Sequence, residues 1–505
     1  MNRYLDIISL INSNFYEKNQ RLFWHLNHSE YNKLVNDVYN SLNNLDSDIK
    51  NNNVFNISKF SIYKNVSIYL SHVYDYVLLS KNHSKPEYSI KSKIFVDNIW
   101  KKIPLTIDLE VNRRNKTHKI NFTKRIYSKF VKIIPKFLFS YSVLAKNQLI
   151  KDFLAKKKFK YISILPPGRN LNSTTQNNVL KILSQKISSI IILMIENKYF
   201  YLDDDQKKSI EFIIENNLIN TDNDLKSYDG FLKNTKNIII GTDTNQYYRF
   251  ISFVAKNHGT KIWRFDHAGE KCFFDDNLHW DQVFYNIDVF ITYGKKWKEH
   301  LEKKIQNMNK NIKVKAIGSS YYDNIFNSHF GIKTNNTKKV LYIPNSFVSE
   351  ARQFPTKIID PLLYDWQKYL IKTLKDIGYE VIYKKHPKGT FNKENNLGKI
   401  SNYENSEPMM NALKHSDTVI CDMAGTAFVE ALCAGKDVIY IDMKQRPFNK
   451  ANFEELNSVI KIVPANESNG IFSIDKKVLR DFLTSPQKNI EKQRKLVKEY
   501  WLESV

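Results

Sequence analysis

The chain has 505 residues, of which 42% are hydrophobic, and its 77 lysines and arginines outnumber 52 acidic residues to give a formal charge of +25. That composition excludes a disordered tail and leaves room for two or three domains around a large core. No run reaches the roughly 18 apolar residues that span a bilayer, and the three cysteines, Cys272, Cys421 and Cys433, form no CxxC pair, which argues against a disulfide framework or a zinc site and for a reducing compartment.

The first residues, "MNRYLDIISLINSNFYEKN", lack the apolar core and small-residue cleavage site of a signal peptide, so a cytoplasmic protein is expected. Residues 1–110 contain no glycine, and stretches such as "SEYNKLVNDVYNSLNNL" place apolar residues at helical spacing, which predicts a mostly helical region. Residues 111–160 hold fifteen of the basic residues against one acidic residue, Asp152. Such a patch calls for an anionic partner: a membrane surface, a nucleic acid or an acidic polymer. Within 111–157, Lys124, Arg125, Lys129, Lys132 and Lys136 alternate with Ile126, Phe130, Ile133, Ile134, Phe137 and Leu138. This basic amphipathic segment reads equally as an anchor on an anionic membrane surface or as a core-facing helix with a solvated lysine face.

From about residue 158 the pattern turns to alternating strands and helices. "FKYISILPPGRN", "SSIIILMI" at 188–195, "TKNIIIGTD", "TKIWRF", "DVFITYG" and "IKVKAIG" read as strands of a first parallel α/β domain, 158–330. In "LDDDQKK", 202–208, the acidic residues are expected to cap a helix and to bind no metal. A polar stretch, 327–339, reads as a linker. A second series, 338–505, follows with strands "KVLYIPNS", "YEVIYKKHP", "DTVICD" and "KDVIYID" and ends in a charged helix. The expected fold class is α/β, with two Rossmann-like domains facing a cleft, the default ligand site, behind an N-terminal mostly helical extension.

Two stretches of the second domain concentrate chemistry. In "GYEVIYKKHPKGTF", 378–391, a buried strand stops before Pro387 and delivers Lys384, Lys385 and His386 to its carboxyl end, the ligand edge of a parallel sheet. In "SDTVICDMAGTAFVEALCAGKDVIYID", 416–442, a strand and a Met-Ala-Gly turn lead into a helix starting near Thr426. Helix starts favour phosphate, Thr426 adds a hydroxyl, and Gly425 permits close backbone approach. Glu430, four residues on, shares a face with Thr426 and is placed to accept ribose hydroxyls. The bland alternative is that Thr426 caps the helix and Glu430 lies on the surface. A carboxylate among Ala, Phe, Val, Leu and Cys, however, is costly without a partner.

"KKHPKG" followed by "SDTVICDMAGTAFVEALCAGKDVIYID" resembles the C-terminal half of GT-B fold transferases that assemble bacterial surface polysaccharides. These are the capsule Kdo and sialic acid transferases with a His-Pro motif, and the CDP-glycerol glycerophosphotransferases. The resemblance extends to "IIIGTDTNQYYRFISFVAKNHGTKIWRFDHAGE" and "VKAIGSSYYD" and covers roughly residues 230–480, leaving 1–150 outside it. It implies a GT-B-like, metal-independent glycosyltransferase of capsule or lipopolysaccharide biosynthesis, with no cofactor beyond a nucleotide-sugar co-substrate of CMP or CDP type, such as CMP-Kdo, and a glycan or lipid-linked acceptor. It implies donor binding by His386, Pro387, Gly425, Thr426 and Glu430, with Lys384 and Lys385 beside the phosphate. The family's histidine-glycine loop corresponds here to Asp266, His267, Ala268 and Gly269, a departure from plain His-Gly. His267 is then the candidate general base, and Asp266 either orients it or itself attacks the anomeric carbon. Two alternatives stay open: transfer of glycerol phosphate from CDP-glycerol, and a basic nucleic-acid-binding protein. Against the latter, the charge is local and no RRM, KH or zinc motif is present.

Overall fold

The computed structural model describes residues 7–22, 28–82, 140–144, 147–157, 160–163, 178–232, 234–241, 246–274, 280, 283–334, 338–347, 358, 360–386, 395–468, 470–485 and 487–502. Within them the chain builds two parallel sheets. The first contains β1 (Tyr141–Val143), β2 (Tyr161–Ser163), β3 (Asn237–Ile240), β4 (Lys261–Phe265), β5 (Val289–Thr292) and β6 (Lys313–Ala316), all parallel, in the order β2-β1-β3-β4-β5-β6. Strands such as Asn237–Ile240 and Val289–Thr292 are near-continuously apolar because helices cover both faces of a parallel sheet.

The second sheet contains β7 (Lys339–Ile343), β8 (Glu380–Lys384), β9 (Tyr403–Asn405), β10 (Thr418–Cys421), β11 (Asp437–Asp442), β12 (Lys461–Ser468) and β13 (Ile471–Ile474). Its order, β13-β12-β11-β10-β7-β8-β9, is the dinucleotide-fold order with one antiparallel edge strand, β13, added. The strand order therefore reverses between β7 and β10, and a crevice opens at the carboxyl ends of those two strands. In the first sheet the reversal falls between β1 and β3. There Asn147 donates to the carbonyls of Gly241 (3.1 Å) and Asp266 (2.9 Å), tying together the chain segments that follow β1, β3 and β4.

The N-terminal region is helical as expected, with α1 (Ile7–Asn12), α2 (His28–Asn43), α3 (Ser47–Lys50) and α4 (Asn53–Asn82). The other helices of the first half are α5 (Gln148–Lys157), α6 (Asn178–Lys198), α7 (Asp204–Leu232), α8 (Gln246–Asn257), α9 (Lys295–Asn307) and α10 (Ser320–His329). Helices α2 and α4 pack on α6 and α7. The strand expected at 188–195 is instead the middle of α6. Ile187, Ile191 and Ile195 recur at helical spacing on its buried face, and Ser184 and Ser188 lie on the same face, each returning its hydroxyl to a backbone carbonyl three residues earlier. Short apolar runs do not separate strand from helix by themselves, and packing against neighbouring helices decides here. Helix α6 is long and apolar enough to cross a membrane by length and composition, and its outer face exposes Val179, Ile182, Ile190 and Leu193. Asp203 caps α7 as expected: its carboxylate accepts the Gln206 amide N–H at 2.8 Å, and the Gln206 side chain accepts the Asp203 N–H at 3.1 Å. The basic segment 111–157 lies outside the described residues up to 139. From there it supplies β1, a strand of the first sheet that precedes residue 158, and then α5.

In the second half follow α11 (Asp360–Asp376), α12 (Met409–Ala412), α13 (Thr426–Cys433), α14 (Lys450–Asn457), α15 (Lys476–Thr484) and α16 (Ile490–Val497). Two devices bind the parts together. Arg21, near the N-terminus, pairs with buried Asp365 of α11 at 2.8 Å, and Lys368 donates to the carbonyls of Phe15 and Lys18. At the other end α16 runs into a π-helical turn, Lys498–Leu502, that returns to the first domain. There the amides of Gly294 and Ser319 donate to the carbonyls of Tyr500 (2.8 Å) and Trp501 (3.1 Å). A side chain at position 294 would collide with the backbone of Glu499 and Tyr500, so only glycine permits this approach.

Candidate functional site

The site grows from the strand-order reversal of the second sheet. Strand β10 ends at Asp422, which is fully buried and accepts hydrogen bonds from Tyr342 Oη (2.6 Å), Trp366 Nε1 (3.0 Å) and the Asn345 amide (2.5 Å). It thereby fixes the segment that follows β7 against the one that follows β10. Burial pushes its carboxyl up to about 6, against the three donors. The chain then turns through Gly425 into α13. Gly425 is extended, contributes no side-chain cap, and has open space where a Cβ would stand. Thr426 is exposed, and its hydroxyl has no hydrogen-bond partner among the described residues. The amides of Phe428 and Val429 donate to the Gly425 carbonyl, whereas those of Thr426 and Ala427 have no partner among the described residues, which leaves two donors at the helix start for an anion.

Glu430 lies one turn further on and is buried, not on the surface. Its partner comes from the other domain. Tyr321, in the first turn of α10, donates its hydroxyl to Glu430 Oε1 at 2.5 Å. Burial pushes the Glu430 carboxyl up to about 7, while Tyr321 and Lys384 pull the other way. Lys384, the last residue of β8, is buried, and burial lowers its pKa against the attraction of Glu430 and Glu407. Side chains alternate along a strand, so Lys385 turns to the opposite face, where it pairs with Glu404 at 3.1 Å. His386 is exposed, and Pro387 lies outside the described residues.

In the first domain, Asp266 follows β4 and is buried. Both carboxylate oxygens are occupied: Oδ2 accepts from Trp297 Nε1 at 2.5 Å and Oδ1 from the His267 amide at 2.7 Å. Burial raises its pKa, with Lys271 opposing and Glu270 reinforcing. The carboxylate thus holds the backbone of the loop and points into the domain, while the exposed His267 side chain projects outward. Tyr293 Oη donates to the His267 carbonyl (2.8 Å) and Tyr322 Oη to the Ala268 carbonyl (3.0 Å). Gly269 adopts φ 79°, and a Cβ there would lie 2.6 Å from Trp501 Nε1.

Adjacent tyrosines therefore serve the two half-sites: Tyr322 holds the loop that carries His267, and Tyr321 holds Glu430. The 3₁₀ turn Glu270–Phe273 then docks on the second domain. Arg446 Nη1 stands 3.5 Å from Glu270 Oε1, Asn452 Nδ2 donates to the Cys272 carbonyl (2.6 Å), and the Asn449 amide to the Phe273 carbonyl (2.9 Å). Sequence reasoning named neither Tyr321, Tyr322, Glu270 nor Arg446. The one available signal was the doubled tyrosine of "SSYYD", immediately after a strand and at the start of a helix.

No protein-family model matches the chain, and no protein of curated function matches it. Solved structures do. The UDP complex of Os79 from O. sativa aligns over 72% of this chain and 95% of its own at 10% identity, with a TM-score of 0.41. MurG of Acinetobacter baumannii aligns over 72% and 94% at 11% identity, TM-score 0.37. The Streptomyces sp. SF2575 glycosyltransferase SsfS6, complexed with thymidine diphosphate, aligns over 71% and 95% at 9% identity, TM-score 0.31.

Proposed function

We propose that this chain is a glycosyltransferase of GT-B type that moves a sugar from a nucleotide donor to a hydroxyl acceptor. One observation carries the reading: at the strand-order reversal of the second sheet, an open helix start at Gly425–Thr426 adjoins Glu430 and Lys384, and Tyr321 ties that group to the domain that carries His267. A nucleotide fits this chemistry. The α13 amides and Thr426 take the phosphate, and Lys384 supplies a positive charge beside it. The second oxygen of Glu430 accepts a ribose hydroxyl. His267 takes the proton of the acceptor hydroxyl, whose oxygen attacks the anomeric carbon. The carbon–oxygen bond to the donor phosphate breaks, and the electron pair leaves with the nucleotide, where the helix start and Lys384 stabilise it. Asp266 acts on this step through the backbone of the loop and not as the nucleophile.

The finer reading rests on the "KKHPKG" and "GTAFVE" resemblance: a CMP-type donor such as CMP-Kdo, and a glycan or lipid-linked acceptor of capsule or lipopolysaccharide assembly. The basic run of 111–157 supports a cytoplasmic enzyme held peripherally on an anionic membrane. Positive charge at the leaving group comes from the protein, so transfer proceeds with chelator present. The test is to offer the purified chain CMP-, CDP- and UDP-sugars with glycan and lipid-linked acceptors and to follow nucleotide release with and without EDTA. Acceptor-dependent release of CMP that EDTA leaves unchanged is the expected result. Release of UDP alone overturns the CMP reading, and no release with any donor overturns the enzyme reading.

A further inference from the structure

At the amino ends of the second sheet's strands, the edge opposite Lys384 and Thr426, lies a cavity of about 640 Å³. Strand β8 separates the two edges: Glu380 at its start lines the cavity and Lys384 at its end belongs to the donor site, roughly 13 Å away at the usual rise per residue. Lys333, Lys339, Lys414 and Lys436 line it together with His329 and His415.

The carboxylates nearby do not neutralise this set. Glu380 pairs with Lys339 (3.2 Å), Asp417 stands 3.6 Å from Lys436, and Glu407 meets His415 (3.0 Å). Lys333 donates to the amide oxygen of Gln487 (2.8 Å) and feels Asp437, which is itself paired with Lys461 (2.7 Å), and Lys414 has no carboxylate partner among the described residues. Burial disfavours a charged His329, and Lys414 and Lys436 add to it; burial likewise lowers Lys436, with Asp417 opposing and Lys333 reinforcing. Thr334, also on this wall, has a buried hydroxyl oxygen with no hydrogen-bond partner among the described residues. Beside the lysines the rim carries an exposed Tyr403 and an exposed Ile332, over Ile382 and Leu413.

We infer that this cavity is a second binding site, for an anionic saccharide, separate from the donor site. The unneutralised lysines supply the attraction for a phosphate or carboxylate. The Tyr403 ring and Ile332 offer an apolar face for a sugar ring. The volume lies within the usual range of ligand pockets, roughly 300–1,000 Å³. Ile332, Lys333 and Thr334 belong to the chain that joins the two domains, and the Thr334 amide is bonded to Asp417 at 2.8 Å. A bound saccharide thus touches both the linker and the second sheet.

The test is titration calorimetry on the full chain with glucose 1-phosphate, a heparin-derived tetrasaccharide, glucose and inorganic phosphate. The wild type should bind one or both anionic saccharides and not glucose. The tetrasaccharide arm separates a polymer-end site from a site for a free sugar phosphate. The double variant Lys333→Glu/Lys414→Glu alters exposed positions, so its melting temperature serves as the folding check. It should bind at least about tenfold more weakly, a difference of about 1.4 kcal/mol. Tyr403→Ala should weaken the saccharides and leave phosphate unchanged. Undiminished binding in the double variant, or no binding of either anionic saccharide to the wild type, overturns the site. Phosphate bound as tightly as both saccharides, with Tyr403→Ala neutral, overturns the saccharide and leaves a plain anion site.

Discussion

Tyr321 donates its hydroxyl to Glu430 across 2.5 Å, joining the first turn of a helix in one domain to the buried face of a helix in the other. A hydrogen bond to a charged carboxylate contributes about 1.5–3 kcal/mol, against about 0.5–1.5 for a neutral one. Tyr321→Phe should therefore cost more stability at pH 8, where Glu430 is ionised, than at pH 5. Urea midpoints at the two pH values measure the difference, and an equal loss at both contradicts a charge-assisted bond.

Glu430 itself gives a pH signature. Its carboxyl is raised by burial from 4.5 to about 7. A raised carboxyl binds its proton more tightly in the folded state, so between these values the folded chain holds more protons than the unfolded one. Stability from this group is present below pH 4.5 and is lost as pH rises through 7, by about 3 kcal/mol at 1.36 kcal/mol per unit. Glu430→Gln removes that loss. Its stability advantage over wild type should be near zero at pH 4.5 and reach a plateau above pH 8. A constant offset across this range contradicts the assignment.

Gly269 stands in the left-handed region with Trp501 against its α-carbon. Gly269→Ala adds backbone strain of about 1–2 kcal/mol and overpacking of about 1–3 kcal/mol. Loss of stability in that range, with turnover lowered because the His267 loop moves, is expected in denaturation and rate assays. A neutral substitution rules out the packed loop.

Asp266 and His267 separate under mutation. His267→Ala should lower turnover by about a hundredfold or more while donor affinity holds. Asp266→Asn should lower stability, because Trp297 and the His267 amide use both carboxyl oxygens and an amide offers only one acceptor oxygen, and no covalent adduct should form when wild type is incubated with donor alone. An Asp266 adduct in the mass spectrum would establish the double-displacement route instead.

Much of this site was legible before the fold. "TVICD" and "EVIYK" are apolar runs closed by a turn residue and a proline, so their carboxyl ends, and the residues just beyond them, could be placed on a ligand edge. Glu430 stood out as a carboxylate in an apolar helix, and burial with a partner is what that cost requires. The identity of the partner was not legible, since Tyr321 lies 109 residues away and meets Glu430 only once the domains dock. Asp266 misleads for a related reason. An Asp beside a His at a strand end suggests chemistry, whereas Trp297, from α9, turns the carboxylate inward. In α6 the run "SSIIILMI" carries strong β-formers, and the helix prevails because its i, i+4 face packs on two other helices.

The central claim is that the carboxyl edge of the second sheet binds a nucleotide. Calorimetric titration of the full chain with CMP, CDP and UDP, beside Thr426→Ala and Glu430→Gln, tests it most directly. At least one pyrimidine nucleotide should bind the wild type, and both variants should weaken it by about tenfold or more, about 1.4 kcal/mol, with the fold intact. Failure of every nucleotide to bind, or equal affinity in wild type and both variants, contradicts the account.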